Sequence, residues 1–307
     1  MRNFFRFLKK MGIGKIPGFL SFYSSAYLIF IRTLGKNPSV EFHGQRIFLI
    51  PTDLGVSRRL LVFGDHVKPI TDYFSKTISP GMFVADIGAN IGHLTLIAAE
   101  QVGKTGHVYA FEPDPQCFAI LKKNVEANTH KNVSLLEMAV SNSNGYQTLY
   151  ANNNFTSAGS LSRENLSSSL KSHGKDNERD ENEYREYSVN SVRLDDYFDQ
   201  HVGTMKLDVL KMNIQGAEGL VLEGAKRLLQ KSSPTIIMEF WPPGLERFGT
   251  SAKNLLEWLG ALGYYYKPIN IPVHKNSFSA KDVIDIALER AKRKQDGLHL
   301  ILQKQVS

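Results

Sequence analysis

Residues 82–103 read MFVADIGANIGHLTLIAAEQVG. An apolar stretch over 82–87, a glycine-bearing turn and a helical pattern over about 92–102 predict strand, tight turn and helix. The plan returns in HVYAFEPDPQCFAILKKNVEAN, residues 107–128, with a strand at 107–111, a turn at Glu112–Pro115 and a helix to about Asn128. VSLLEMAVS, residues 133–141, reads as a third strand. Strands alternating with helices build a parallel sheet through right-handed crossovers. Ligands of such sheets sit outside the carboxyl ends of the strands, so the turns after these strands are the first place to look for a site.

Upstream, VEFHGQRIFLIP (40–51) alternates and turns at Gly44, the pattern of a β-hairpin, and residues 56–78 are helical in pattern. Downstream, residues 151–187 are polar and Ser/Asn-rich, and are predicted to be a long loop inserted in the domain. Order resumes with YSVNSVRLDDYF (187–198), a buried strand from Met205 to Met212 and a helix over about 217–230. PTIIMEF (234–240) is a fifth parallel strand and is followed by a helix near 251–262. The helix at 280–295 opens on the capping signal Ser279-x-x-Asp282 and is expected to close at Gly297. LHLILQ is a last strand, antiparallel and beside the fifth. The expected fold is α/β: a mostly parallel sheet of about seven strands with helices on both faces, carrying an N-terminal hairpin.

Net charge is +7, from 37 Lys+Arg against 30 Asp+Glu. Arg2, Arg6, Lys9, Lys10, Lys15, Arg32 and Lys36 account for the whole excess, and no acid precedes Glu41. The body is therefore neutral, which argues against a nucleic-acid-binding face on it. The arm, residues 1–39, is basic and aromatic, and its uncharged run Ile16–Ile31 is shorter than the roughly 20 residues a bilayer span needs. Two readings stand: an interfacial membrane contact through residues 1–36, or a helix docked on the body. Residues 40–307 form the body. With one cysteine, Cys117, no internal disulfide is possible, and a reducing cytoplasmic setting fits, at the inner face of the membrane if the arm is an anchor.

The turn DIGANIG places Gly88 and Gly92 four apart behind Asp86, which is not the dinucleotide pattern G-x-G-x-x-G. An acid at the strand end repels a pyrophosphate and disfavours a nicotinamide cofactor. It suits a ligand with a positive charge, such as the ammonium group of S-adenosylmethionine. Glu112 ends the next strand, where a carboxylate can accept from both ribose hydroxyls; each charge-assisted bond is worth about 1.5–3 kcal/mol. Alone, Asp86 reads equally as a helix cap and Glu112 as a solvated turn; together, at the ends of adjacent strands, they favour a methyl donor.

The segments VADIGANIG, FEPDP, VRLDDYF, NIQGAEGLVLEGA and PTIIMEF occur in the order found in FkbM-type S-adenosylmethionine-dependent methyltransferases, and the chain resembles that family over roughly residues 65–241. The resemblance implies a Rossmann-like class I methyltransferase fold and O-methylation of a hydroxyl on a sugar, glycolipid or natural product. It further implies that Asp86, Gly88, Asn90 and Gly92 cradle the methionine end of the donor. Glu112 would take the ribose, and Glu137, Met138 and Ala139 would flank the adenine.

Where the family pattern reads Lys-x-Asp-x-Glu-Gly-Ala-Glu, this chain has Lys211, Met212, Asn213, Ile214, Gln215, Gly216, Ala217 and Glu218. Asn213 is expected to face the donor, and two amides in place of two acids remove a hard-cation site, so no metal is expected. A hydroxyl acceptor must lose a proton, and a base assists by roughly 10²–10⁴-fold. Glu239, at the end of the fifth strand, is the first candidate; His66 and Glu218 follow, with a loop histidine and a first-turn helix cap as their plainer roles. The amides also leave open a catalytically impaired donor-binding protein that serves in an assembly.

Overall fold

The computed structural model describes residues 38–172, 184–203, 206–269, 271, 278–293 and 297–304. The basic arm, residues 173–183 of the polar insertion and the expected strand start at Met205 lie outside the described residues. The strands are β1 (Ser39–Phe42), β2 (Gln45–Phe48), β3 (Phe83–Ile87), β4 (His107–Phe111), β5 (Val133–Leu136), β6 (Ala139–Val140), β7 (Gly145–Asn152), β8 (Tyr184–Val192), β9 (Val209–Met212), β10 (Thr235–Phe240), β11 (Tyr264–Pro268) and β12 (Leu298–Lys304). The helices are α1 (Val56–Phe63), α2 (Lys68–Thr77), α3 (His93–Val102), α4 (Pro115–Ala127), α5 (Arg163–Ser172), α6 (Leu194–His201), α7 (Glu218–Glu223), α8 (Lys226–Ser232), α9 (Pro242–Arg247), α10 (Ala252–Ala261) and α11 (Ala280–Lys292).

Seven strands form one sheet in the order β11-β12-β10-β9-β3-β4-β5. All run parallel except β12, which lies antiparallel between β10 and β11. The chain steps outward from β3 through β4 to β5, then returns to the other side of β3 for β9. The β3/β9 gap is thus the switch point, where the turns diverge and leave a crevice.

Alternate side chains feed two cores, as strands covered on both faces require. Ala85, Ile87, Tyr109, Phe111, Leu210 and Met212 face one apolar cluster, which α6, α8, α10 and α11 close with Leu194, Leu228, Leu256 and Val283. Val84, Val108, Ala110 and Val209 face the other, closed by the hairpin and α1–α4 through Ile47, Leu60, Phe74, Leu96 and Leu121. The hairpin β1–β2 turns at His43 and Gly44, with φ of 50° and 76°, the left-handed pair a two-residue turn demands.

Four expectations need correction. The third strand is not continuous over 133–141: it leaves the main sheet at Leu136, and Ala139–Val140 pairs with β8 in a separate three-stranded sheet β6-β8-β7. The insertion is not a structureless loop. It holds the end of β7, the whole of α5 and the start of β8, and Phe155, Ala158, Leu166 and Leu170 pack with Leu54 and Val62. These few apolar residues are diluted among serines and asparagines, which hid their pattern. The helix expected over 217–230 is two: α7 ends at Glu223, and α8 starts afresh at Lys226, where the Asp195 carboxylate accepts the N–H groups of Arg227 (3.1 Å) and Leu228 (2.8 Å). Gly297 does not close α11, which ends at Lys292; its N–H donates to Glu239 Oε1 at 3.0 Å instead. The capping box of Ser279 and Asp282 is present.

Candidate functional site

The loops after β3 and β9 touch at the switch point. Gly88 has φ 71°, and a Cβ there would lie 2.6 Å from the Asn213 carbonyl oxygen, so glycine is needed for both conformation and contact. Gly92, at φ 88°, serves helix packing: a Cβ would lie 2.5 Å from Leu121 Cδ1 of α4.

The two strand-end acids part company. Asp86 is fully buried. It sits directly across from Lys211 in the β3–β9 register, and Lys211 Nζ lies 2.8 Å from its Oδ1. Thr95 Oγ1 donates to its other oxygen at 2.7 Å. Lys211 also donates to the carbonyls of Ile87 (3.3 Å) and Gly88 (2.9 Å), so the pair ties the glycine turn to the neighbouring strand. Asp86 does not line the cavity at the strand ends. That corrects its expected role: an ammonium group would have to displace Lys211 to reach it.

Glu112 does line the cavity, though only 6% exposed. Its Oε2 accepts the Asn90 backbone N–H at 2.7 Å and its Oε1 that of Asp114 at 2.9 Å. Each oxygen keeps a lone pair for a ligand hydroxyl. Burial, and then the neighbouring Asp114 charge, push its carboxyl up to about 8. Asn90, with φ 53°, is held through its amide to Thr156 Oγ1 at 3.2 Å, so the insertion braces the glycine turn. Met138 and Ala139 line the same cavity, whereas Glu137 is exposed and away from it because the chain turns out of the sheet there.

A second cavity adjoins the first. His66, Val67, Ser157, Asn213, Glu239 and His299 line both. Beyond that shared wall the second is lined by Arg59, Ser168, Ser169, Lys171, Gln215, Trp241 and Arg247. Glu239 is 8% exposed, and its Oε2 accepts from Gln215 Nε2 at 3.2 Å. Gln215 Nε2 also reaches Asn213 Oδ1 at 3.4 Å, so the amide pair positions the one carboxylate of this wall. Gln215 adopts φ 58°, fixed from the insertion: Asn165 Nδ2 donates to its carbonyl at 2.9 Å and to that of Gly244 at 3.2 Å, while Arg247 holds Asn165 Oδ1 at 2.8 Å.

Glu218 is fully buried, lies off both cavities, and accepts the N–H groups of Ile214 and Gly216, each at 2.9 Å. Burial raises its carboxyl to about 7, but it is a cap of the turn and not a base facing a ligand. Among the described residues no group of three or more His, Cys, Asp or Glu is placed to hold a metal. No helix of the described residues is long and apolar enough to cross a membrane. His93 is the residue that sequence reading missed: it lines the first cavity from the start of α3, its ring edge-on to His66 at 5.5 Å between centroids. Its place directly after DIGANIG was the available signal.

A doubly wound sheet with a glycine turn, a ribose-ready carboxylate and a crevice at the switch point defines a nucleoside-ligand enzyme of the class I methyltransferase kind. Residues 86–266 match the methyltransferase FkbM domain, more than half the chain, and the protein belongs to that family. It is 26% identical to methyltransferase sdnD of Sordaria araneosa over 196 residues, 59% of this chain and 73% of that one. It is 29% identical to 2-O-methyltransferase NoeI of Sinorhizobium fredii over 162 residues, 50% of this chain and 61% of that one. The solved methyltransferase FkbM of Methylobacillus flagellatus KT superposes with a TM-score of 0.40 at 12% identity, covering 75% of this chain and 50% of that one. The protein is an S-adenosylmethionine-dependent methyltransferase of the FkbM type.

Proposed function

We propose that the chain O-methylates a hydroxyl of a saccharide, free or lipid-linked, or of a related polyol natural product, held in the second cavity. The carrying observation is the shared wall: Asn213 and Glu239 face both cavities, so an acceptor in one meets a donor in the other. Trp241 offers an apolar face for a sugar ring, and Ser168, Ser169 and Gln215 offer hydroxyl and amide partners. The similarity to NoeI, a 2-O-methyltransferase, supports an oxygen acceptor. The donor, when bound, supplies a methyl group already activated as a sulfonium. The protein aligns the reactants, which is worth on the order of 7–11 kcal/mol, and takes up the hydroxyl proton. Glu239 is the acceptor of that proton, held in place by the Gly297 N–H and Gln215. His66 lines the same wall and is the second candidate.

In this proposal Glu112 binds the ribose, Met138 and Ala139 flank the adenine, and Gly88, Asn90 and Asn213 shape the methionine end. The basic arm adds contact with an anionic membrane surface, which would bring the protein to lipid-linked acceptors. Removing residues 1–36 should leave donor binding intact and abolish association with phosphatidylserine vesicles; retained association would reject the anchor. The test of the reaction uses S-adenosylmethionine carrying a labelled methyl group and saccharide and glycolipid fractions. The expected product is an O-methyl ether. No transfer by the natural chain, with transfer restored by Asn213→Asp and Gln215→Glu together, would reveal a donor-binding protein disarmed by its amides.

A further inference from the structure

We infer that His93 is a donor-binding residue: its imidazole, with the N-terminus of α3, receives the carboxylate of the amino-acid end of S-adenosylmethionine. The inference rests on the donor assignment and goes beyond it, because this end of the donor was expected at Asp86.

The starting observation is a buried imidazole with nothing to bond. His93 is 6% exposed, and among the described residues neither Nδ1 nor Nε2 has a hydrogen-bond partner. Buried polar groups are nearly always paired, and an unpaired one costs about 1–3 kcal/mol. His93 spends that cost on the wall of the first cavity, where a ligand can repay it on binding.

A second observation says which part of the ligand arrives there. The cavity wall follows the sheet order: Met138 after β5, Glu112 after β4, Gly88 and His93 after β3, Asn213 after β9. Neighbouring strands lie about 4.8 Å apart, so β5 to β9 spans roughly 14 Å, enough for an extended adenosyl amino acid. With the nucleoside over β5 and β4, the amino-acid end falls over β3 and β9.

The third observation selects the carboxylate. Helix α3 has ten residues, is N-capped by Gly92 without a side-chain hydrogen bond, and has no acid in its first turn. Its leading N–H groups and dipole favour an anion. Burial first, and then the Lys211 charge, hold His93 down to about 3, so the ring is neutral and offers one N–H donor. Asp86 cannot compete, since Lys211 and Thr95 occupy it.

The test compares two ligands by calorimetry on the full chain. S-adenosylhomocysteine has the amino-acid end; 5′-methylthioadenosine has the same thioether nucleoside without it. His93→Ala is expected to weaken S-adenosylhomocysteine about tenfold and 5′-methylthioadenosine less than twofold, with His93→Gln, which keeps a donor, in between. In the natural chain, the His93 imidazole nitrogen resonances should move with the first ligand and stay with the second. Equal loss for both ligands, or no loss for either, would overturn the proposal. Failure of the natural chain to bind either would overturn the donor assignment and the proposal with it.

Discussion

The strand-end edge has two halves, and they are built from different distances along the chain. Over β3–β5 the parts are mostly local: Glu112 is fixed by the N–H groups of Asn90 and Asp114, 22 and 2 residues away, and the one distant brace is Thr156 on Asn90, 66 residues away. Over β9–β10 they are remote: Gln215 is fixed by Asn165, 50 residues away, and Glu239 by Gly297, 58 residues away. The first half is a rigid cradle for a common ligand. The second borrows its walls from α5 and from the loop before β12, elements that can change without touching the first.

The comparison can be broken most forcefully at the point joining the halves. Lys211→Met leaves Asp86 a buried unpaired carboxylate and should destabilise the protein by about 3–5 kcal/mol in urea denaturation. Adding Asp86→Asn should recover much of the loss, and a single variant as stable as the parent would mean the pair does not join the strands. Asn165→Ala removes three hydrogen bonds from the second half and should cost about 1–3 kcal/mol. Its affinity for S-adenosylhomocysteine should stay within twofold; a large drop would erase the distinction between the halves. Glu112→Ala addresses the first half, and should weaken S-adenosylhomocysteine at least tenfold through the loss of the hydrogen bonds to both ribose hydroxyls.

The pH dependence sharpens the same contrast. Glu112 and Glu218 have carboxyls raised to about 8 and about 7 in the fold, above the ordinary 4.5. The native state therefore binds more protons than the unfolded chain between these values, and stability falls as pH rises. The benefit is complete below about pH 4.5 and gone above about 8. Glu112→Gln should flatten the upper part of that decline in denaturation curves at successive pH values; an unchanged slope would mean that Glu112 is ionised in the free protein. The smallest effect is expected from chelation: EDTA should leave methyl transfer within twofold, and strong inhibition would point to a metal outside the described residues.

The legibility of the sequence follows the same division. The strand-turn-helix units, the hairpin and the antiparallel last strand were readable because their signals are periodic and local. So was the position of Glu112 and Gly88 at the strand ends, where both line the first cavity. Asp86 was misread because a strand-end acid looks alike whether it faces a ligand or a lysine on the next strand. A lone base, Lys211, in the otherwise apolar β9 was the missed clue. The insertion read as a long loop because Leu166 and Leu170 are scattered among serines, and Asn165 reveals its role only once its distant partners are in place. Glu218 shows that the plainer role can be the right one, since both its oxygens are taken by backbone N–H groups.

A crystal structure of the full chain with S-adenosylhomocysteine tests the central claim most directly. The account predicts the ligand extended along the strand ends, ribose hydroxyls on Glu112, adenine beside Met138 and Ala139, amino-acid carboxylate at His93 and the start of α3, and the second cavity left for the acceptor. A ligand lying across Gln215, Trp241 and Arg247, with Glu112 uncontacted, would contradict it.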